Sequence, residues 1–206
     1  MSKFGFGKST GLELGGFVGQ VAGPTYLQEN HLDKEWQPGN TWNTAIGQDD
    51  TRATPLQLAT YVATLANGGT RYQAHLLKSV YEFGKDTPLY TFEQSDATVL
   101  DRIEIPEDVR ATVLEGMHSV VESNSTIRKW MSAVEVDVGG KTGTAQTGAY
   151  LESGEEIFNA LFVGAAPYAA PEVVVSVVLE EGAQGTYAAM TAARILEAYY
   201  KTAEAE

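Results

Sequence analysis

Cysteine is absent from all 206 residues. Thiol nucleophiles, disulfides and thiolate metal sites are therefore excluded. Basic residues are scarce: 14 stand against 27 acidic ones, a net charge of −13. A protein that tracks nucleic-acid phosphates needs a basic stripe, so nucleic acid is discounted as a partner. No apolar run approaches the ~18 residues that span a bilayer. The start, Met1 to Gly7, lacks the apolar stretch of a signal peptide. Any anchor or export signal is expected on sequence beyond these residues. The histidines His31, His75 and His118 are too dispersed to form a ligand set, and His118 has only Glu115 and Glu122 at helical spacing. Neither a metal nor a cofactor is expected.

Two nucleotide-binding look-alikes also fail. A Walker A loop needs glycine five positions before Gly140-Lys141-Thr142 and Gly7-Lys8-Ser9, but Glu135 and Ser2 stand there. Glu152, Glu155 and Glu156 read as a solvated acidic loop rather than a glycosidase pair. Neither Ser-x-x-Lys nor Ser-x-Asn occurs: Ser125 is followed by Arg128 at the first spacing, and Ser9 by Leu12.

The length suits one domain or a large piece of one. Residues 1–53 are rich in glycine and predict loops, with short extended pieces at Leu12–Leu14 and Phe17–Val21. So long an irregular stretch either packs on a surface built by other chain or covers a site. Thr54-Pro55-Leu56-Gln57 opens a helix with a capping box, and Leu58, Val62, Leu65 and Ala66 share one face. Asn67-Gly68-Gly69 ends it. Ala74–Tyr81 and Leu89–Phe92 predict a hairpin. Pro106 opens a second helix, with Val109, Val113, Met117, Val120 and Val121 as its stripe, fraying into a polar loop at residues 123–126. Three strands follow, the first over Val134–Val138 and the others over Ile157–Ala165 and Val173–Leu179. The last two are apolar on both faces, so both faces should be covered. A final helix, about Tyr187–Lys201, buries Ala188, Ala192, Ile195, Leu196 and Tyr199 over one face, before a fraying tail at 202–206. The other face has no evident cover within the chain. The class is α+β, an antiparallel sheet flanked by helices.

Between the first two strands lies Gly139-Gly140-Lys141-Thr142-Gly143-Thr144-Ala145-Gln146. One cation, two hydroxyl groups and three glycines share a segment that can lie extended. Lys-Thr-Gly on a strand that faces a cleft can hold a substrate carboxylate and offer a backbone donor to an acyl oxygen.

This stretch and others in the same order resemble the C-terminal part of a class B penicillin-binding protein transpeptidase domain. The matching blocks are Phe4-Gly5-Phe6-Gly7, Ala45-Ile46-Gly47-Gln48, Thr54 to Ala59, Ala66 to Gly69, Gly116-Met117, Gly140 to Gln146 and Phe162 to Pro167. Asp49 departs from the pattern, since many relatives continue with glycine there. The resemblance covers essentially the whole chain, so residues 1–206 are expected to be the C-terminal portion of one transpeptidase domain, with an incomplete sheet. It implies a peptidoglycan D,D-transpeptidase of cell-wall synthesis, serving cell shape or cell division, extracytoplasmic and membrane-anchored in the parent protein. Such enzymes cross-link D-Ala-D-Ala stem peptides through an acyl-serine and bind β-lactams. Lys141 would supply positive potential, and Thr142 and Thr144 would hydrogen-bond the terminal carboxylate. The Thr144 N–H would be one oxyanion donor, and Gly143 would let the acyl chain approach. The nucleophile motif is missing, so this chain alone is expected to be inactive. A D,D-carboxypeptidase or β-lactamase relative and a non-catalytic module for peptidoglycan peptides are the alternatives. Self-association is expected through a bare sheet edge or the uncovered face.

Overall fold

The computed structural model describes residues 1–30 and 34–203. Two short helices, α1 (Pro24–Asn30) and α2 (Pro38–Ala45), precede the longer α3 (Pro55–Ala66). Strands β1 (Thr70–Tyr72), β2 (Ser79–Tyr81), β3 (Pro88–Thr91) and β4 (Val99–Arg102) form two small antiparallel pairs, β1 with β4 and β2 with β3. Helices α4 (Glu107–Ser123) and α5 (Ser125–Met131) then lead into the main sheet. Its strands β5 (Gly139–Tyr150), β6 (Glu156–Ala166) and β7 (Val173–Leu179) are antiparallel in the order β5-β6-β7. Helix α6 (Gly185–Ala203) follows. This is the α+β arrangement expected from the sequence. Residues 204–206 of the predicted tail, and His31, lie outside the described residues.

The side chains of β6 alternate between two cores, as a period of two requires. Ala160, Phe162 and Ala166 face α5 and α6, with Val175 and Val177 of β7 beside them. Four alanines of α6, Ala188, Ala189, Ala192 and Ala193, are at most 2% exposed. Their small size seats the helix backbone close on the sheet. Ile195 and Tyr199, expected in that stripe, point outward. On the opposite face Ala165, with Val163 and Val174, meets Val62 and Leu65 of α3 and Leu114 and Met117 of α4. The face expected to be bare is therefore covered at this end by the chain itself. Towards the other end Leu161 and Val178 stay half-buried.

Several local readings change. Helix α4 buries Leu114, Met117 and Val121, while Val109 and Val113 are exposed. The polar stretch after it is a helix start: Asn124 Oδ1 accepts from the N–H groups of Thr126 and Ile127, 3.1 Å each, an N-cap for α5. Val134–Val138 is not a strand; Val134 and Val138 are buried against the α5–α6 core without a ladder. The strand begins five residues later, at Gly139. Strand β2 is likewise shorter than the predicted Ala74–Tyr81.

The N-terminal region holds α1 and α2 where loops are expected, while Leu12–Leu14 and Phe17–Val21 contribute only a bridge between Gln20 and Arg52. It is tied down by Gln57, which is 1% exposed. The expected capping box is present: Gln57 N donates to Thr54 Oγ1 at 3.1 Å and Thr54 N to Gln57 Oε1 at 3.0 Å. The two protons of the Gln57 amide nitrogen are shared among the carbonyls of Gly5 (3.1 Å), Lys8 (3.0 Å) and Val18 (2.6 Å). Asp49 adopts φ +69°, a conformation glycine enters freely. Its carboxylate is held by Asn40 Nδ2 at 2.8 Å and by the N–H of Asp50 at 2.9 Å, which is how a non-glycine residue keeps this turn.

Candidate active site at the outer edge of β5

Strand β5 pairs with β6 on one side; among the described residues no strand pairs with its other side. Glycine opens it because of what lies beneath. A Cβ on Gly140 would stand 2.2 Å from Phe162 Cζ, so the Phe162 ring occupies the space a side chain would need. The ring itself is 1% exposed within the α5–α6 core. The low strand propensity of Gly139-Gly140 is thus overridden by packing.

Alternation along β5 divides the candidate residues between the two faces. Gly140, Thr142 and Thr144 lie on the α6 side; a Cβ on Gly185 at the start of α6 would come within 3.0 Å of Thr142 Cβ. Lys141 and Gly143 lie on the α4 side, as does Gly139, whose own Cβ would meet Met117 and Tyr168. Lys141 is exposed, and its Nζ donates to the carbonyl of Thr142 at 2.7 Å. Among the described residues no carboxylate pairs with Lys141. In a chain of charge −13, an unneutralised ammonium at a sheet edge is a ready anion contact. The Thr142 hydroxyl is likewise without a partner among the described residues. A Cβ on Gly143 would sit 3.3 Å from Leu161 Cβ, so glycine here is favoured by close packing, and its lack of a side chain leaves the strand open to approach.

The Thr144 hydroxyl oxygen accepts from the N–H of Gly185 at 3.4 Å. Gly185 is brought there by the β7–α6 turn, in which Glu181 and Ala183 take φ values of +55° and +59°. That turn is anchored by Asn159, whose Oδ1 accepts from Glu181 N at 3.0 Å. Sequence reasoning passed over both residues. Asn159 is the one polar residue within Ile157–Ala165, which is a signal in the sequence, while Gly185 carries none.

His75, His118, Glu155 and Glu156 have structural partners. The His75 ring stacks on Phe92 at 3.6 Å, and that of His118 on Tyr168 at 4.0 Å. Gln146 Nε2 donates to Glu156 at 3.0 Å across the hairpin, and Ser153 Oγ donates to Glu155 at 3.2 Å. Among the described residues no group of three His, Cys, Asp or Glu side chains is placed to hold a metal, and no helix is long and apolar enough to cross a membrane.

The chain belongs to the penicillin binding protein transpeptidase domain family, whose model matches residues 1–200. It is 34% identical over 183 residues to penicillin-binding protein H of Bacillus subtilis, covering 86% of this chain and 24% of that protein. It is 31% identical over 213 residues to peptidoglycan D,D-transpeptidase MrdA of Haemophilus influenzae, covering 97% of this chain and 32% of that protein. Among solved structures, penicillin-binding protein 2B of Streptococcus pneumoniae superposes with a TM-score of 0.77 at 26% identity, over 98% of this chain and 31% of that one. Pseudomonas aeruginosa PBP2 in complex with WCK 5153 superposes with a TM-score of 0.72 at 30% identity, over 96% and 42%. The chain thus spans less than a third of the length of the curated relatives named here.

Proposed function

We propose that residues 1–206 are the C-terminal portion of a transpeptidase domain, and that the outer edge of β5 is one wall of a peptidoglycan D,D-transpeptidase site. The observation that supports this most directly is the unneutralised Lys141 beside two threonine hydroxyls on an unpaired strand edge. A stem peptide ending in D-Ala-D-Ala, or a β-lactam of the same shape, would lie along that edge. Its terminal carboxylate would take hydrogen bonds from the Thr142 and Thr144 hydroxyls and the field of Lys141. The carbonyl of the scissile bond would take the Thr144 N–H, half of an oxyanion hole. Gly143 would let the backbone of the ligand come close.

The chemistry needs a serine whose oxygen adds to that carbonyl as the terminal D-Ala leaves, and an amine of a second peptide that then takes the acyl group. The serine belongs to a Ser-x-x-Lys motif that these residues do not contain. Taken alone, then, the chain holds the carboxylate and forms no acyl-enzyme. The site works outside the cytoplasm, where its cell-wall substrate is. The free outer edge of β7 would pair with a further strand, or with a second copy of the chain when none is supplied.

Two measurements test this. Titrating the 15N-labelled chain with N-acetyl-D-Ala-D-Ala should shift the amides of residues 141–144, and Lys141→Ala should abolish the shifts. Incubation with a fluorescent penicillin should leave the chain unlabelled. Covalent labelling approaching one per chain would defeat the second half of the reading; binding indifferent to Lys141→Ala would defeat the first.

A further inference from the structure

We propose that Asn159 and Gly185 are positioning residues for the Thr144 hydroxyl, acting through the turn that joins β7 to α6. This rests on the carboxylate reading of the β5 edge and adds to it how one of the two anchoring hydroxyls is aimed.

A hydroxyl carries one proton and two lone pairs, and its rotor is free unless a neighbour fixes it. The N–H of Gly185 points at Thr144 Oγ1 from 3.4 Å. An N–H can only donate, so it takes a lone pair of the oxygen. The O–H proton is then left to point elsewhere, towards the open edge where an anionic ligand would sit. Without that donor, Thr144 can turn its own proton inward and present a lone pair to the ligand carboxylate, which repels it.

The N–H reaches this spot because residue 185 is glycine. A Cβ there would stand 2.8 Å from the Gly143 carbonyl oxygen, 3.0 Å from Thr142 Cβ and 3.2 Å from the Leu161 carbonyl oxygen. Two of these three atoms are backbone, so any side chain must push α6 away from β5, and the Gly185 N–H goes with it. The turn that delivers Gly185 is itself held in a costly shape, with two non-glycine residues at positive φ. The Asn159 side chain ties it to β6 through the N–H of Glu181 at 3.0 Å. A polar side chain of β6 thus reaches the site through the five covalently linked residues 181–185 and two hydrogen bonds. Both hydrogen bonds are made by the backbone of the turn, so its side chains can vary while its path is kept.

The test is a set of N-acetyl-D-Ala-D-Ala titrations of the 15N-labelled chain, with the Thr144 side-chain rotamer read from three-bond couplings before any ligand is added. Thr144→Val should weaken binding about tenfold, the weight of one hydrogen bond to a charged group. Gly185→Ala and Asn159→Leu should each weaken it by a comparable factor and let the Thr144 rotamer average. Combined with Thr144→Val, neither should weaken it further, because both act through that hydroxyl. Asn159→Asp keeps the acceptor and should restore binding. If Gly185→Ala does not fold, the Asn159 pair decides alone. Folded Asn159→Leu that binds like the unaltered chain, or losses that add in full to that of Thr144→Val, would overturn the proposal while leaving the carboxylate reading standing. If the unaltered chain binds no peptide, or Lys141→Ala binds as well, the carboxylate reading falls and this proposal with it.

Discussion

Replacing Gln57 should release the N-terminal region of the chain. Its side-chain amide serves the carbonyls of Gly5, Lys8 and Val18 and accepts from Thr54 N. Leucine fills nearly the same volume and offers none of this. The bond to Gly5 is fully buried, and a buried carbonyl stripped of its donor costs about 1–3 kcal/mol. The bonds to Lys8, Val18 and Thr54 are part-buried, so water recovers some of their loss, leaving about 0.5–1 kcal/mol each. Gln57→Leu should therefore cost about 2.5–6 kcal/mol, a large share of the 5–15 kcal/mol that holds an ordinary domain together. Gln57→Glu separates hydrogen bonding from volume. Above neutral pH it sets a carboxylate against three carbonyl oxygens and should be worse than leucine. That environment raises the folded-state pKa of the introduced acid above its unfolded value near 4.3. The protonated acid can donate, so its contribution is fully present below the unfolded pKa and is lost as pH rises through the folded pKa. Urea unfolding at pH 4 and pH 8, with amide exchange over residues 5–20, reads both effects. A Gln57→Leu variant with an unchanged midpoint and unchanged exchange at Gly5, Lys8 and Val18 would refute the clamp.

Three further outcomes follow from the structure. Among the described residues Ser176 Oγ on β7 is buried without a hydrogen-bond partner, so Ser176→Ala should raise stability by about 1 kcal/mol in urea unfolding, the desolvation cost of one unpaired hydroxyl. Phe162→Ala should destabilise by about 3–5 kcal/mol in the same assay, since it empties the largest fully buried side chain, which packs over Gly140. Hydrogen bonds from Lys201 and then Arg194 hold the Glu197 carboxyl below its ordinary 4.5, against a smaller opposing effect of desolvation. Glu197→Gln should therefore lower the thermal midpoint at pH 6, and the gap should close as acid carries the pH down through the depressed folded value. A gap that persists at pH 2 would mean the ion pairs are not its cause.

Where sequence signals coincided with buried surface, they were read correctly. Thr54-Pro55 and Gln57 mark the start of α3, and the β-branched run Val173–Leu179 gives β7 to the residue. Helices α1 and α2 escaped because between them they bury a single residue, Leu27, so no stripe exists to be seen. Val134 to Val138 misled for the opposite reason: valines at alternate positions plug a core from an irregular segment, imitating a strand. The stripe of α4 is misplaced in the sequence reading because Val113 looks as buriable as Leu114, and only the packed structure shows that Leu114 is buried and Val113 exposed. The cover of the sheet face expected to be bare could not be judged from the sequence, since α3 and α4 reach it from about 50 to 110 residues away along the chain. At the candidate site, Lys141 to Thr144 form a pattern that is local in the sequence. Asn159 and Gly185 do not, because their relation to Thr144 exists only after β6, β7 and α6 have packed.

The division of the candidate residues between two faces constrains what could use them. Lys141 projects to the α4 side of the sheet, and Thr142 and Thr144 to the α6 side. A ligand resting on either face would meet the cation or the hydroxyls, never both. Only one lying along the free edge of β5, in the plane of the sheet, reaches all three together with the outward backbone groups of the strand. That geometry favours an extended peptide-like molecule over a compact one, because an added strand satisfies the edge while its terminal group sits between the faces. It also explains why the neighbours of Lys141 are so small. Gly140 leaves room for Phe162 beneath the strand, whereas a Cβ on Gly143 would ask only a few tenths of an ångström of Leu161. Enlarging Gly143 should therefore weaken peptide binding more than stability, whereas enlarging Gly140 should do the reverse.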